Sequence, residues 1–83
     1  MTRDEILEHV RRSLIELFEL EPDDVRPEAN LYEDLDLDSI DAVDMAVQIQ
    51  ELTGRRVEEK ALREARTVND LVSLVERMQA GKA

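Results

Sequence analysis

The chain has 83 residues, enough for one small domain around one modest core. It has no cysteine, which excludes disulfides, thiolate metal sites and cysteine nucleophiles, and only two aromatic residues, Phe18 and Tyr32, which argues against a deep aromatic-lined pocket. The net charge of −10 is concentrated in the middle third, where residues 21–54 set eleven acids against Arg26 alone, while residues 55–83 hold seven bases and five acids. A negative field placed like that repels nucleic acid and anionic lipid, and it draws basic protein surfaces toward it.

With two glycines, two prolines and 39% charged residues, the composition suits helices better than sheets. The start, Met1-Thr-Arg-Asp-Glu-Ile-Leu, lacks the long apolar run of a signal peptide or membrane span, so a soluble, cytoplasmic protein without membrane insertion is expected. A first helix is predicted over about residues 2–20. Thr2 and Glu5 form a capping box, and Ile6, Leu7, Val10, Leu14, Leu17 and Phe18 repeat at the spacing of one buried face. Pro22 sets its end. The lone histidine, His9, lies in this pattern as a surface residue, with no converging ligands or catalytic partners.

Residues 21–38 read as a long connection punctuated by Pro22 and Pro27, with Asp23, Asp24 and Asn30 as turn formers. A loop this long needs a reason. Val25, Leu31, Tyr32, Leu35 and Leu37 predict that it packs on the helices. Asp34 and Asp36 are read as solvated loop acids.

A second helix is predicted over residues 39–53, with Asp38 as N-cap, Asp41 three residues later and Gly54 as stop. At roughly 100° per residue its side chains divide into two apolar stripes. Ala42, Met45, Ala46, Ile49 and Leu52 form the core stripe. Ile40, Val43 and Val47 form a narrower one opposite, beside Asp44 and Glu51, with Asp41 and Gln48 at the margin. Val43 and Val47 could pack under a neighbouring helix or stand in solvent; Asp44 and Glu51 show no sign of a buried partner. A short helix near residues 59–64 uses Val57 and Leu62 as core contacts, and Thr67, with Asp70, caps a last helix over 67–80. Gly81 begins a frayed tail. Residues 1–83 thus make a single domain, all-α, with four helices.

The densest chemistry lies at Asp34-Leu35-Asp36-Leu37-Asp38-Ser39-Ile40-Asp41. Its alternating aspartates match the first three ligand positions of an EF-hand, but the glycine position is Ser39 and the bidentate glutamate position is Met45. A hydrolase also fails: no Gly-x-Ser-x-Gly elbow surrounds Ser39, and His9 has no evident route to it. From the residues alone, Ser39 could be no more than a good helix-start residue.

Asp38-Ser39-Ile40 after Glu33-Asp34-Leu35 resembles the phosphopantetheine attachment motif of acyl carrier proteins, at the start of the second of four helices. Length, acidity, the long first loop and the short third helix correspond over nearly the whole chain. The resemblance implies a four-helix acyl-carrier-protein-like bundle, no enzymatic activity of its own, and 4′-phosphopantetheine attached covalently to Ser39 by a phosphopantetheinyl transferase. It implies no metal ligands, the transferase supplying both metal and catalysis. Asp38, Ile40, Asp41, Asp44 and Glu51 match the family's partner-recognition positions, with Val43 and Val47 adding apolar contact. Expected partners are ketosynthase, ketoreductase, dehydratase and acyl-loading enzymes, docking a monomeric carrier through basic patches. A phosphodiester at this helix start is expected to find free amide donors and the positive dipole end. Ala42 and Ala46 either leave room for an acyl chain between helices or simply allow close packing.

Two departures stand out. Asp36 replaces a common glycine, and Arg55, Arg56, Arg63 and Arg66 make the third-helix region basic. The run Leu37–Met45 looks closer to discrete carriers of specialised clusters, particularly those building aryl polyenes. The alternatives are a housekeeping fatty-acid carrier or an unmodified calcium-binding or interaction domain.

Overall fold

The computed structural model describes residues 2–80, apart from the side chain of Ala80. Among these, four helices follow in order: α1 (Arg3–Phe18), α2 (Ser39–Thr53), α3 (Glu59–Glu64) and α4 (Val68–Ala80). A 3-10 turn, Pro22–Asp24, interrupts the first connection. No strand occurs among the described residues, only an isolated antiparallel bridge between Asn30 and Thr67. The expected tail from Gly81 lies outside the described residues.

α1 starts as its sequence dictates. Thr2 Oγ1 accepts from the Glu5 amide, and the Glu5 carboxylate accepts from the Thr2 amide. These bonds, the backbone one first, hold the Glu5 carboxyl below its ordinary range. The helix ends sooner than predicted. Glu19 adopts a left-handed conformation (φ 52°), and the Leu20 amide folds back onto the Ile15 carbonyl. The stop is therefore this backbone reversal, ahead of Pro22. Ile6, Val10 and Leu14 are buried, whereas Leu17, in the last turn, is 39% exposed. Ile15 and the returning Leu20 pack on the core at this end.

α1 packs chiefly on α4, which buries Val68, Leu71, Val72, Leu74 and Val75. Arg3 ties the two helices at the surface through Glu76, Asn69 and Ser73. The N-terminus of α4 has a reciprocal cap. Thr67 Oγ1 accepts from the Asp70 amide, and the Asp70 carboxylate accepts from the Thr67 and Arg66 amides. Led by the Arg66 amide, these donors lower the Asp70 pKa against the opposing effect of burial.

The connection before α2 is ordered and supplies a share of the core. Val25, Ala29, Leu31 and Leu35 are buried, and Tyr32 and Leu37 pack half-buried on them. Arg11 reaches from α1 to donate to the Val25 and Pro22 carbonyls at 2.7 and 2.8 Å. Asn30 is the centre of this segment. Its side-chain oxygen accepts from the Tyr32 and Glu33 amides, and its carbonyl accepts from the Asp34 and Leu35 amides. Leu31 then donates to the Arg66 carbonyl, Val68 to Ala29 and Asn69 to Pro27, fastening the loop to the start of α4. A buried loop needs this full accounting of its backbone groups.

Candidate functional site

Asp38 and Asp41 build the start of α2. Asp38 Oδ1 accepts from the Ile40 and Asp41 amides at 3.0 Å, and Asp41 Oδ2 accepts from the Asp38 amide at 3.1 Å. This capping box fixes Ser39 as the first helical residue, with its side chain exposed. The expectation of free amide donors is corrected here. Two of the first amides are already spent on Asp38, and two carboxylates stand where an anion was to sit. A helix dipole alone therefore does not hold a phosphate at this end.

The preceding residues aim the chain into the cap. Leu35 is buried and Leu37 half-buried, as their alternation predicts, so Asp36 and Asp38 face outward. Asp36 has φ 59°, in the left-handed region. That conformation explains why glycine suits this position; aspartate is among the few other residues that tolerate it. Asp34 is not merely solvated, as its carboxylate accepts from the Asn30 amide at 2.7 Å. Asp34 and Asp38 thus have separate local tasks, and Asp36 makes no side-chain hydrogen bond among the described residues. Among the described residues no group of three or more His, Asp or Glu side chains is placed to hold a metal ion.

Along α2 the core stripe holds. Met45 and Ile49 are buried, while Ala42, Ala46 and Leu52 pack half-buried on the core. The opposite stripe faces water: Ile40 is 72% exposed, Val43 55% and Val47 50%. No neighbouring helix covers Val43 or Val47 among the described residues, which settles the two alternatives for their placement. Asp44 and Glu51 are exposed and make no hydrogen bond or ion pair among the described residues. An apolar strip rimmed by unengaged acids is what remains outside the bundle.

Ser39 stands at the edge of a surface cleft of about 210 Å³ between α2 and α3, lined by Tyr32, Ser39, Ala42, Val43, Glu59, Leu62 and Arg63. Next to it lies a mostly apolar void of about 10 Å³, walled by Leu31, Leu37, Asp38, Met45 and Leu71 and sharing Tyr32, Ala42 and Leu62 with the cleft. That void holds no more than one water. Ala42 lines both spaces and Ala46 neither, so the two alanines differ: one borders open volume, the other permits close helix packing.

The family described as "Phosphopantetheine attachment site" matches residues 8–75. The chain belongs to the acyl carrier proteins. It is 49% identical over 80 residues to "Acyl carrier protein 2" of Ralstonia nicotianae, covering 96% of this chain and 99% of that one. It is 30% identical to the "Acyl carrier protein" of Coprothermobacter proteolyticus, covering 92% and 93% of the two chains. The "Meromycolate extension acyl carrier protein" of Mycobacterium leprae is 30% identical, with 95% of this chain and 69% of that one covered.

The chain is therefore a carrier rather than an enzyme, and its cofactor is 4′-phosphopantetheine held covalently on a serine. Carriers of this kind meet a phosphopantetheinyl transferase and synthase enzymes. The residues present suit such a group: a serine hydroxyl held in solvent by a rigid cap, opening on a cleft with one apolar wall. When attached, the group supplies a thiol that carries acyl chains as thioesters. Among the described residues no helix is long and apolar enough to cross a membrane.

The sequence reading missed two contributors to this site. Arg63 and Tyr32 were assigned to the basic third-helix region and the loop, yet both line the cleft beside Ser39. No local pattern marks them, because α3 and the loop reach the cleft only through the tertiary fold.

Proposed function

We propose that Ser39 is the serine that bears the phosphopantetheine, and that the outward strip of α2 is the surface on which partner enzymes dock. The observation that carries the first part is a comparison of the three serines. Ser13 and Ser73 are half-buried within α1 and α4, and Ser73 Oγ accepts from Arg3 at 3.2 Å. Ser39 is the exposed one, at a helix start that opens on the cleft between α2 and α3. An arm from this point on a small rigid domain gives its thioester a high local concentration at a docked active site.

The docking face consists of Asp38, Ile40, Asp41, Val43, Asp44, Val47 and Glu51. Asp38 and Asp41 spend part of their bonding capacity on the cap, which leaves Asp44 and Glu51 as the unengaged steering charges. Burying an exposed Ile or Val in a partner contributes up to ~1.5–3 kcal/mol each, while the acids mainly raise the encounter rate. That division gives fast docking with ready release, as a shuttle requires.

The cargo and partners belong, on this proposal, to a specialised pathway of the aryl polyene type, with a dedicated ketosynthase, ketoreductase, dehydratase and acyl-loading enzyme. The Leu37–Met45 run, Asp36 and the arginines around α3 support it.

The test is incubation with a broad phosphopantetheinyl transferase and coenzyme A, followed by intact-mass analysis. The wild type gains one phosphopantetheine and Ser39→Ala gains none; an unmodified wild type, or a modified Ser39→Ala, defeats the assignment. For the docking face, Asp44→Lys with Glu51→Lys lowers acyl transfer to a partner ketosynthase about tenfold or more at low salt, with unchanged thermal unfolding. Equal transfer rates across a salt series would remove the steering role.

A further inference from the structure

The start of α2 leaves a phosphodiester on Ser39 without its usual electrostatic support. Asp38 Oδ1 occupies the Ile40 and Asp41 amides, and the Asp38 and Asp41 carboxylates flank the serine. An anion attached there gains little from the helix end and is drawn to a cation within reach. The cleft on which Ser39 opens provides one: Arg63, from α3, is the cation among its lining residues.

Arg63 is well disposed for the task. Its side chain is 70% exposed, and among the described residues its one side-chain hydrogen bond runs from a terminal guanidinium nitrogen to Glu59 Oε1, one turn earlier on α3. Exposed pairs of this spacing are weak and easily exchanged. A guanidinium has five N–H donors in a planar fork, so the contact with Glu59 leaves enough donors to meet two phosphate oxygens. Glu59 lines the same cleft and competes for the same donors.

We propose that Arg63 binds the phosphodiester of the arm and so directs its first segment along the cleft between α2 and α3. This rests on Ser39 being the attachment point. Phosphate displaces Glu59 from part of the guanidinium, and the arm leaves the acidic cap for the Tyr32, Ala42 and Leu62 side of the cleft. Arg63 then has a local purpose at the attachment point, separate from any partner.

The experiment uses the full chain, modified enzymatically with phosphopantetheine, and reads the phosphorus resonance of the phosphodiester together with the Nε–H resonance of Arg63. In the wild type the phosphorus resonance is displaced from its position in the urea-unfolded modified chain, and the Arg63 Nε–H signal moves on modification. The displacement is lost in Arg63→Gln, kept in part by Arg63→Lys, increased in Glu59→Gln and reduced toward zero in about 1 M salt, where the Debye length falls to ~3 Å. Circular dichroism checks that Arg63→Gln is folded; if it is not, Glu59→Gln, which leaves Arg63 in place, decides the matter by the presence or absence of the larger displacement. Full modification by mass with a phosphorus resonance indifferent to both substitutions overturns the role of Arg63 alone. No mass increase on the wild type overturns the Ser39 assignment, and this one with it.

Discussion

The loop between α1 and α2 and the helix that follows it exchange their customary roles. Between Glu21 and Asp38 the loop buries Val25, Ala29, Leu31 and Leu35, while the fifteen residues of α2 bury Met45 and Ile49 alone. The loop is part of the core, and much of the helix is surface. A segment becomes interior through side-chain placement and satisfied backbone groups, whether or not it is regular. Here Asn30 and Arg11 satisfy the loop's amides and carbonyls, which lets an irregular chain stay inside. α2 is self-satisfied along its backbone and can afford to face water with Ile40, Val43 and Val47.

The widest gap between the two regions is expected on truncation. Leu35→Ala, in the loop, costs ~2–5 kcal/mol in chemical denaturation, the ordinary cost of a buried leucine. Val43→Ala, in the helix, stays within about 0.5 kcal/mol. Comparable losses at the two positions would erase the contrast.

A smaller effect tests the seat on which the loop rests. Asp70 holds the Arg66 and Thr67 amides beside the carbonyl that receives Leu31. Its pKa is lowered in the folded state, so its stabilising contribution is fully present above its ordinary value of 3.8 and is lost as pH falls through the lower folded value. Asp70→Asn removes this proton linkage. Its melting temperature is expected to lie below wild type at pH 7, with the gap closing as pH falls below 3.8, in parallel scans. A gap of equal size on both sides of that pH would deny the linkage.

The smallest effect is at the junction of the two regions. Asp36→Gly relieves a left-handed side chain, a strain of ~1–2 kcal/mol for most residues and less for aspartate. Glycine's greater freedom in the unfolded chain offsets ~0.5–1 kcal/mol of that, so a net gain of a few tenths is expected by urea titration. A clear loss would mean that the aspartate carboxylate has a structural task of its own.

The legibility of the sequence follows the same divide. α2 and α3 begin and end where Asp38, Gly54 and the short Glu59–Glu64 stretch place them, since caps and apolar periodicity are local signals. The two stripes of α2 were visible on a wheel, but whether Val43 and Val47 had a neighbour is a tertiary fact. Asn30 read only as a turn former, because its bridge to Thr67 spans the intervening α2 and α3. The reversal at Glu19 has no glycine to announce it. At the site, Ser39 and its flanking acids were legible from a local motif, whereas the engagement of Asp38 with the amides that a phosphate would use, and the presence of Arg63 in the cleft, required the fold.

The exposed aliphatic strip of α2 has one more consequence. Three open hydrophobic side chains in a row invite two copies of the same chain to stick together face to face. Asp44 and Glu51 beside that strip bring like charges into opposition whenever two copies approach in this way. On the docking role proposed above, the acids would act as a password as well as a beacon. They would then keep the strip closed to its own kind, and open to a surface that arrives with positive charge.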